Sequence, residues 1–278
     1  MKSLIKSSIL LFILFLTNCK TDKRQFTGYD IELFKETPVW ELAKAVEEEN
    51  VNKIEEIVNL GKLNVDYIDP KLGMNLLNWA VFNDKLKSTK ILAELGASPN
   101  IKDNMGVTAL IEASTKLDNT SYLKILIENG ASINQVCRID NSFYTTALME
   151  AAKFKLENVK ILIDAGAEIN FRDTHNYQTS LSAALISDRI EIVEYLLYKG
   201  ANYKDPLAKW DGKYISISNF LRDLKFELDS KEYKVKMRVV DFLYKNGIDY
   251  WQEPISRVTM EEIKRDHPND WENYLKKY

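Results

Sequence analysis

The chain has 278 residues, 45% hydrophobic and 28% charged, with a formal net charge of −3 at neutral pH. That size and apolar content suit one large or two small cored domains, and the mild acidity excludes the concentrated basic surface that a nucleic-acid partner needs. Two cysteines, 10 glycines and 6 prolines leave few covalent ties and a mostly regular backbone.

At the N-terminus, Ile9–Leu16 are eight consecutive apolar residues, preceded by Lys2 and Lys6 and followed by no acid before Asp22. Even counted from Leu4, the run falls short of the roughly 20 residues that cross about 30 Å of hydrocarbon. A cationic start and a short apolar core read instead as an export signal. Leu16-Thr17-Asn18-Cys19 resembles the lipobox of bacterial lipoproteins, which implies cleavage before Cys19 and lipidation of its thiol. Residues 1–18 are thus expected to be a lipoprotein signal peptide, and 19–36 a lipidated cysteine with a polar tether. Lys20 after the cysteine implies, by the sorting rule of such lipoproteins, delivery to the outer membrane facing the periplasm. With Cys19 acylated, Cys137 has no intramolecular disulfide partner, and it is expected in a half-buried loop.

Residues 37–250 carry a repeat. Gly61, Gly96, Gly130, Gly166, Gly200 and Gly247 each end an apolar helical stretch, as in LAELGASPN, LIENGASIN and LIDAGAEIN. A glycine just past a helix supplies a left-handed backbone position at no steric cost. Upstream of the first five stand Leu42/Ala45, Leu77/Ala80, Leu110/Ala113, Leu148/Ala151 and Leu181/Ala184. Three-residue spacing places each pair on one helix face, where alanine admits a close neighbour. Second helices carry stripes such as Ile91/Leu92/Leu95 and Ile192/Val193/Leu196. Two short helices and a Gly-Ala stop at a period near 33 resemble the ankyrin repeat. Thr108-Ala109-Leu110, Thr146-Ala147-Leu148 and Thr179-Ser180-Leu181 stand where that family has Thr-Pro-Leu-His, and Asn100–Asp103 and Asn170–Asp173 match its hairpin entry. The resemblance implies an all-α repeat solenoid of about six stacked helix-turn-helix units joined by β-hairpin-like loops. The family's proline is missing from the internal units, and Asn78, Ile111, Met149 and Ser182 replace its histidine. Weaker capping is therefore expected there, with Thr37-Pro38 the one full helix start.

The last unit is stretched. Its first helix is expected near 217–226, after a long loop holding Trp210 and Asp211-Gly212, and its second over 235–245. Residues 251–278 read as a helical cap with two short helices, 258–264 and 270–277, and with Trp251 and Trp271 sealing the array's open end.

Catalytic signals are lacking. His175 and His267 are far apart, no metal-ligand spacing or phosphate-binding loop occurs, and Glu112 and Glu150 face each other only because repeats place equivalent residues side by side. Neither enzyme activity, cofactor nor small-molecule substrate is expected. In the family resembled, the hairpin tips and the exposed side of each first helix form a concave protein-binding face. The residues mapping there are Leu72, Met74, Phe82, Met105, Val107, Lys116, Phe143, Tyr144, Phe154, His175, Tyr177 and Ile186. Apolar and aromatic side chains at such positions point to a protein partner. The insertion 135–142 lengthens the fourth hairpin and carries Phe143 and Tyr144 outward. The expected function is stoichiometric binding of another protein in the bacterial envelope, an immunity-type inhibitor being one form. The alternative is an architectural scaffold with no dedicated partner.

Overall fold

The computed structural model describes residues 30–278 except Asn141, Ser142, Asn176 and Asp211, and omits the side chains of Ile139, Asp140, Phe143 and Trp210. The signal-like segment, Cys19, the tether before Asp30 and the Phe143 side chain therefore lie outside the described residues. Among the described residues two compact units emerge, one ending at Ile217 and the other spanning Ser218–Tyr278.

Residues 30–217 form five helix pairs: α1 (Trp40–Glu47) and α2 (Val51–Asn59), α3 (Leu76–Phe82) and α4 (Leu86–Glu94), α5 (Ala109–Thr115) and α6 (Ser121–Glu128), α7 (Ala147–Ala151) and α8 (Leu156–Asp164), α9 (Ser180–Ile186) and α10 (Ile190–Tyr198). First helices pack on first helices and second on second, giving two layers. The leucine and alanine of every Leu-x-x-Ala pair are buried between them. A helix of about 10 residues is marginal alone in water, so each pair depends on its neighbours to bury its apolar stripe.

The glycines do what their spacing predicts. All six adopt positive φ, from 64° at Gly61 to 90° at Gly166. After four of them the alanine N–H reaches back to the helix: Ala97 to Leu92 O, Ala131 to Leu126 O, Ala167 to Leu162 O and Ala201 to Leu196 O, each 2.9 Å. Orphan carbonyls of the last turn are thereby satisfied.

N-terminal capping survives the lost proline. The Asn75 side chain accepts from Asn78 N (2.8 Å), Thr108 from Ile111 N (3.4 Å) and Thr146 from Met149 N (3.3 Å). Thr179 accepts from Ser182 N at 3.1 Å while the Ser182 hydroxyl accepts from Thr179 N, a reciprocal box. The first unit corrects the sequence reading. Thr37 gives its hydroxyl to Phe34 O at 2.6 Å, closing the 3₁₀ turn Ile31–Phe34, and α1 begins only at Trp40 with no side-chain cap.

Two hydrogen-bond series stitch neighbouring units. At the glycine turns, Asn100 donates to Gly130 O (3.0 Å) and accepts from Ser132 N (2.8 Å); Asn134 does the same with Gly166 O (3.1 Å) and Glu168 N (2.8 Å). Asn170 repeats the pattern with Gly200 O and Asn202 N. At the other end of four of the first helices, the following unit reaches carbonyls in the last turn or just past it. Ser88 reaches Val46 O (2.7 Å), Lys116 Phe82 O (3.1 Å), Lys155 Leu117 O (2.5 Å) and Arg189 Lys153 O (3.1 Å). Fully buried Asn158 donates to both Ser114 O (2.9 Å) and Lys116 O (3.0 Å). Cations at helix C-termini also complement the macrodipole. Asn134→Ala, at an exposed link, is expected to cost about 1 kcal/mol, read as a melting-temperature drop of about 2–4 °C.

Residues 218–278 hold most of α11 (Ile217–Asp223), then α12 (Lys231–Lys245), α13 (Arg257–Asp266) and α14 (Trp271–Lys277). α11 ends three residues before the expected 226, and α12 starts four residues before the expected 235, where Ser230 caps Tyr233 N at 3.0 Å. Within this unit the buried aromatics are tyrosines: Tyr250, Tyr274 and Tyr278 are buried, while Trp251 is 45% exposed and Trp271 only flanks the cluster. Tyr250 OH donates to Tyr278 O (2.6 Å), Tyr274 OH to Phe226 O (3.0 Å) and Tyr233 OH to Lys277 O (2.7 Å). Lys236, fully buried, donates to Leu224 O (2.9 Å) with its ammonium 3.9 Å from the Tyr278 ring centre. Carbonyl and ring faces there take the place of water around the cation.

Candidate functional site

Between the helix pairs the chain runs out into fingers. Each short finger closes on an aspartate: Asp69 N–H donates to Met74 O, Asp103 N–H to Val107 O and Asp173 N–H to Gln178 O, all 2.9 Å. The carboxylates turn back onto tip amides, Asp69 accepting from Lys71, Leu72 and Met74, Asp103 from Met105 and Val107, and Asp173 from His175. Aspartate at this position builds the turn itself. Burial pushes the Asp103 carboxyl above its ordinary value, against the lowering pull of its amide donors.

The finger of the fourth unit is a true hairpin, β1 (Cys137–Asp140) against β2 (Phe143–Thr145), with a bulge between Arg138 and Asp140. It buries Cys137 completely, which corrects the half-buried loop expected of it. Burial raises that thiol's pKa, and a protonated, enclosed sulfur is a poor nucleophile. In a Cys19→Ser chain the native protein should react with a thiol reagent only as fast as it unfolds; immediate stoichiometric reaction would contradict this. The expected long loop around Trp210 is also a hairpin, β3 (Ala208–Trp210) paired with β4 (Lys213–Ile215), forming a further finger.

Fingers pack tightly on each other. Asn104 N–H donates to Leu72 O at 2.8 Å. A Cβ on Gly106 would stand 2.5 Å from Arg138 O, and φ there is +81°. Gly106→Ala combines backbone strain with a clash against backbone, so it should cost more than about 1 kcal/mol and loosen amide protection around Arg138 in hydrogen exchange.

Aromatic rings cross the fingers. Tyr144 stacks on His175 with centroids 5.3 Å apart, under the Arg138 guanidinium at 5.9 Å. Tyr177 meets Tyr214 edge-on at 5.5 Å, with Arg172 5.8 Å from the first ring and Lys209 5.3 Å from the second. Tyr177 holds this place at φ 64°, a left-handed backbone that a bulky residue adopts only under constraint.

The residues expected on one face thus divide into two rows. The finger row holds Met105 (49% exposed), Tyr144, His175, Tyr177 and, unforeseen from sequence, Tyr214 (55% exposed). The second row lies at the turns joining the helices of each pair and holds Phe82, Leu117 (54%), Phe154 (38%) and Ile186. Leu117 was not foreseen, since a single leucine after a helix carries no periodic signal. Leu72 and Val107 are half-buried. Met74 is buried, contrary to expectation: its N–H and C=O both pair with Asp69, which turns the residue into the hairpin base.

Glu112 and Glu150 do not converge on chemistry. Glu150 accepts from the Thr145 hydroxyl (2.7 Å) and from Lys153 (2.6 Å), and Glu112 lies 3.6 Å from Lys116, which also bridges Asp84 at 2.9 Å. Burial raises the Glu112 pKa, the Lys116 charge opposing it. Among the described residues no group of three or more His, Cys, Asp or Glu is arranged to hold a metal ion, and no helix is long and apolar enough to cross a membrane.

Stacked helix pairs with fingers at one end define a helical repeat solenoid, a class built to bind proteins through exposed loops and helix edges. Residues 25–137 and 135–206 match the family model of ankyrin repeats (3 copies), and the chain belongs to the ankyrin repeat family. It is 43% identical over 67 residues, 24% of its length, to the ankyrin repeat and KH domain-containing protein mask-1 of Caenorhabditis elegans. It is 26% identical over 115 residues, 39% of its length, to a putative ankyrin repeat protein of Rickettsia bellii. The chain spans 2% and 17% of those relatives' lengths. A crystal structure of an ankyrin repeat protein superposes with a TM-score of 0.55 at 22% identity, over 74% of this chain and 98% of that one.

Proposed function

We propose that this ankyrin array is a lipid-anchored protein of the bacterial envelope that holds one protein partner stoichiometrically on its finger row. The carrying observation is the run of paired rings Tyr144–His175 and Tyr177–Tyr214, fixed in place before any partner arrives. Tyrosine and arginine dominate interface hot spots, and rings already immobilised lose little entropy on binding. Occlusion of an incoming toxin by an immunity-type protein is one form this takes. Lipidation at Cys19 and outer-membrane delivery rest on the sequence of residues 1–20.

Affinity capture from native envelopes, with wild type beside Tyr144→Ala/Tyr177→Ala/Tyr214→Ala, tests the binding surface. The same protein should be retained by the first and lost by the second, at least about tenfold given hot-spot losses of about 2 kcal/mol or more. Equal retention by both would remove the finger row as the working surface. Anchoring has a separate readout: Cys19→Ala should move the protein from the membrane to the soluble fraction.

A further inference from the structure

The layer of second helices carries a feature the finger row does not use. An open groove of about 400 Å³ runs between α4 and α6, lined by Leu86, Lys87, Lys90, Ser121, Lys124, Ile125 and Glu128. Lysines elsewhere within the second helices of the array are matched: Lys53 bridges Glu56 at 3.0 Å and Lys160 bridges Glu157 at 3.6 Å. Lys90 reaches Glu94 only at 3.8 Å. Lys87 and Lys124, on opposite walls of the groove, have no carboxylate partner among the described residues. Only the Lys87 backbone N–H is engaged, by Glu49 Oε1 at 2.8 Å. Two lysines without a carboxylate partner therefore line one groove together with half-buried Leu86, Ile125 and Ser121.

We infer that this groove takes the phosphate headgroup of an anionic glycerophospholipid, with Lys87 and Lys124 on the phosphate and Leu86 and Ile125 against the glycerol and upper acyl carbons. Charge complementarity selects the anion, and the apolar lining residues Leu86 and Ile125 select a lipid over a free phosphate. Glu128 and Glu94 set the limit: the groove favours a compact phosphate over a large polyanion, whose outlying charges would meet them. The inference does not rest on lipidation of Cys19, since Lys87 and Lys124 belong to the folded array.

The test is co-sedimentation of the full Cys19→Ser chain with vesicles of phosphatidylcholine alone or with 30% phosphatidylglycerol. Three variants share that background: Lys87→Glu/Lys124→Glu, the milder Lys87→Gln/Lys124→Gln, and Lys53→Glu/Lys160→Glu, which changes charge equally on the same layer but outside the groove. Residues 1–18 are common to all, so differences report the array. Each lysine near an anionic surface contributes enough that losing two should weaken binding at least about tenfold. Wild type should bind the anionic vesicles, the two groove variants should lose at least that factor, and the outside variant should change less than about twofold. Equal losses in groove and outside variants would show general surface charge only and overturn the proposal. So would no preference of wild type for anionic vesicles, or full displacement by millimolar inorganic phosphate, which would make the ligand a soluble phosphate. Should the glutamate pair melt early beside Glu49, the glutamine pair, with unchanged melting temperature, decides.

Discussion

Tyr278→Ala is expected to destabilise residues 218–278 by about 3–5 kcal/mol, the range for removing a large buried ring. The ring is fully buried, stacks on Tyr274 at 5.6 Å and covers the Lys236 ammonium. Removing it leaves a buried cation facing a cavity, so the loss exceeds that of area alone. Hydrogen exchange should show α12 and α13 losing protection first; unchanged protection would show that the tyrosine is an ornament of the unit. The same cluster makes the unit sensitive to alkali. Burial pushes the Tyr274 phenol up to about 12 from 10.0, and Tyr278 is pushed up for the same reason. The folded state thus holds a proton that the unfolded chain releases sooner. This contribution to stability is whole below pH 10 and is lost as pH rises toward 12. Urea midpoints measured from pH 8 to 12 should be flat and then fall in that window.

The second large effect is Asn158→Ala. One buried amide group satisfies Ser114 O and Lys116 O, the last carbonyls of α5, from the neighbouring unit. Deleting it strands the buried acceptor of Ser114 and the part-buried one of Lys116, each costing about 1–3 kcal/mol, so about 2–4 kcal/mol is expected overall. Asn134→Ala, where water can replace the lost partner, should cost several times less. Equal effects from the two would mean that burial of the Asn158 link is not what gives it weight.

These residues also show what sequence carries and what it omits. The glycine turns, the Leu/Ala faces and the threonine caps depend on neighbours within five residues, so their spacing alone announced them. Asn158, Lys236 and Tyr278 acquire their roles from partners 12 to 44 positions away, and no local pattern marks them. Thr37 misled because Thr-Pro is a good local start, yet the carbonyl of Phe34 competed for its hydroxyl. At the site, the aromatic residues in the fingers of the fourth and fifth units were legible as apolar side chains where loops belong. Their division into two rows was not, nor was the finger at 208–215, whose lysines and tyrosine read as an ordinary polar loop. Met74 shows the limit most clearly: apolar identity is the same whether a side chain faces solvent or the hairpin base, and only the Asp69 turn decides.

The four carbonyl contacts at the C-terminal ends of first helices run one way in the chain. Val46, Phe82, Leu117 and Lys153 are each completed by a residue from the unit that follows, Ser88, Lys116, Lys155 or Arg189. A ribosome or a translocation pore delivers the chain in that same direction. The newest unit is therefore always the unfinished one, waiting for a donor still inside the machinery. Maturation must trail delivery by one repeat, and a chain interrupted partway carries its defect at the growing edge, where proteases and chaperones meet it first.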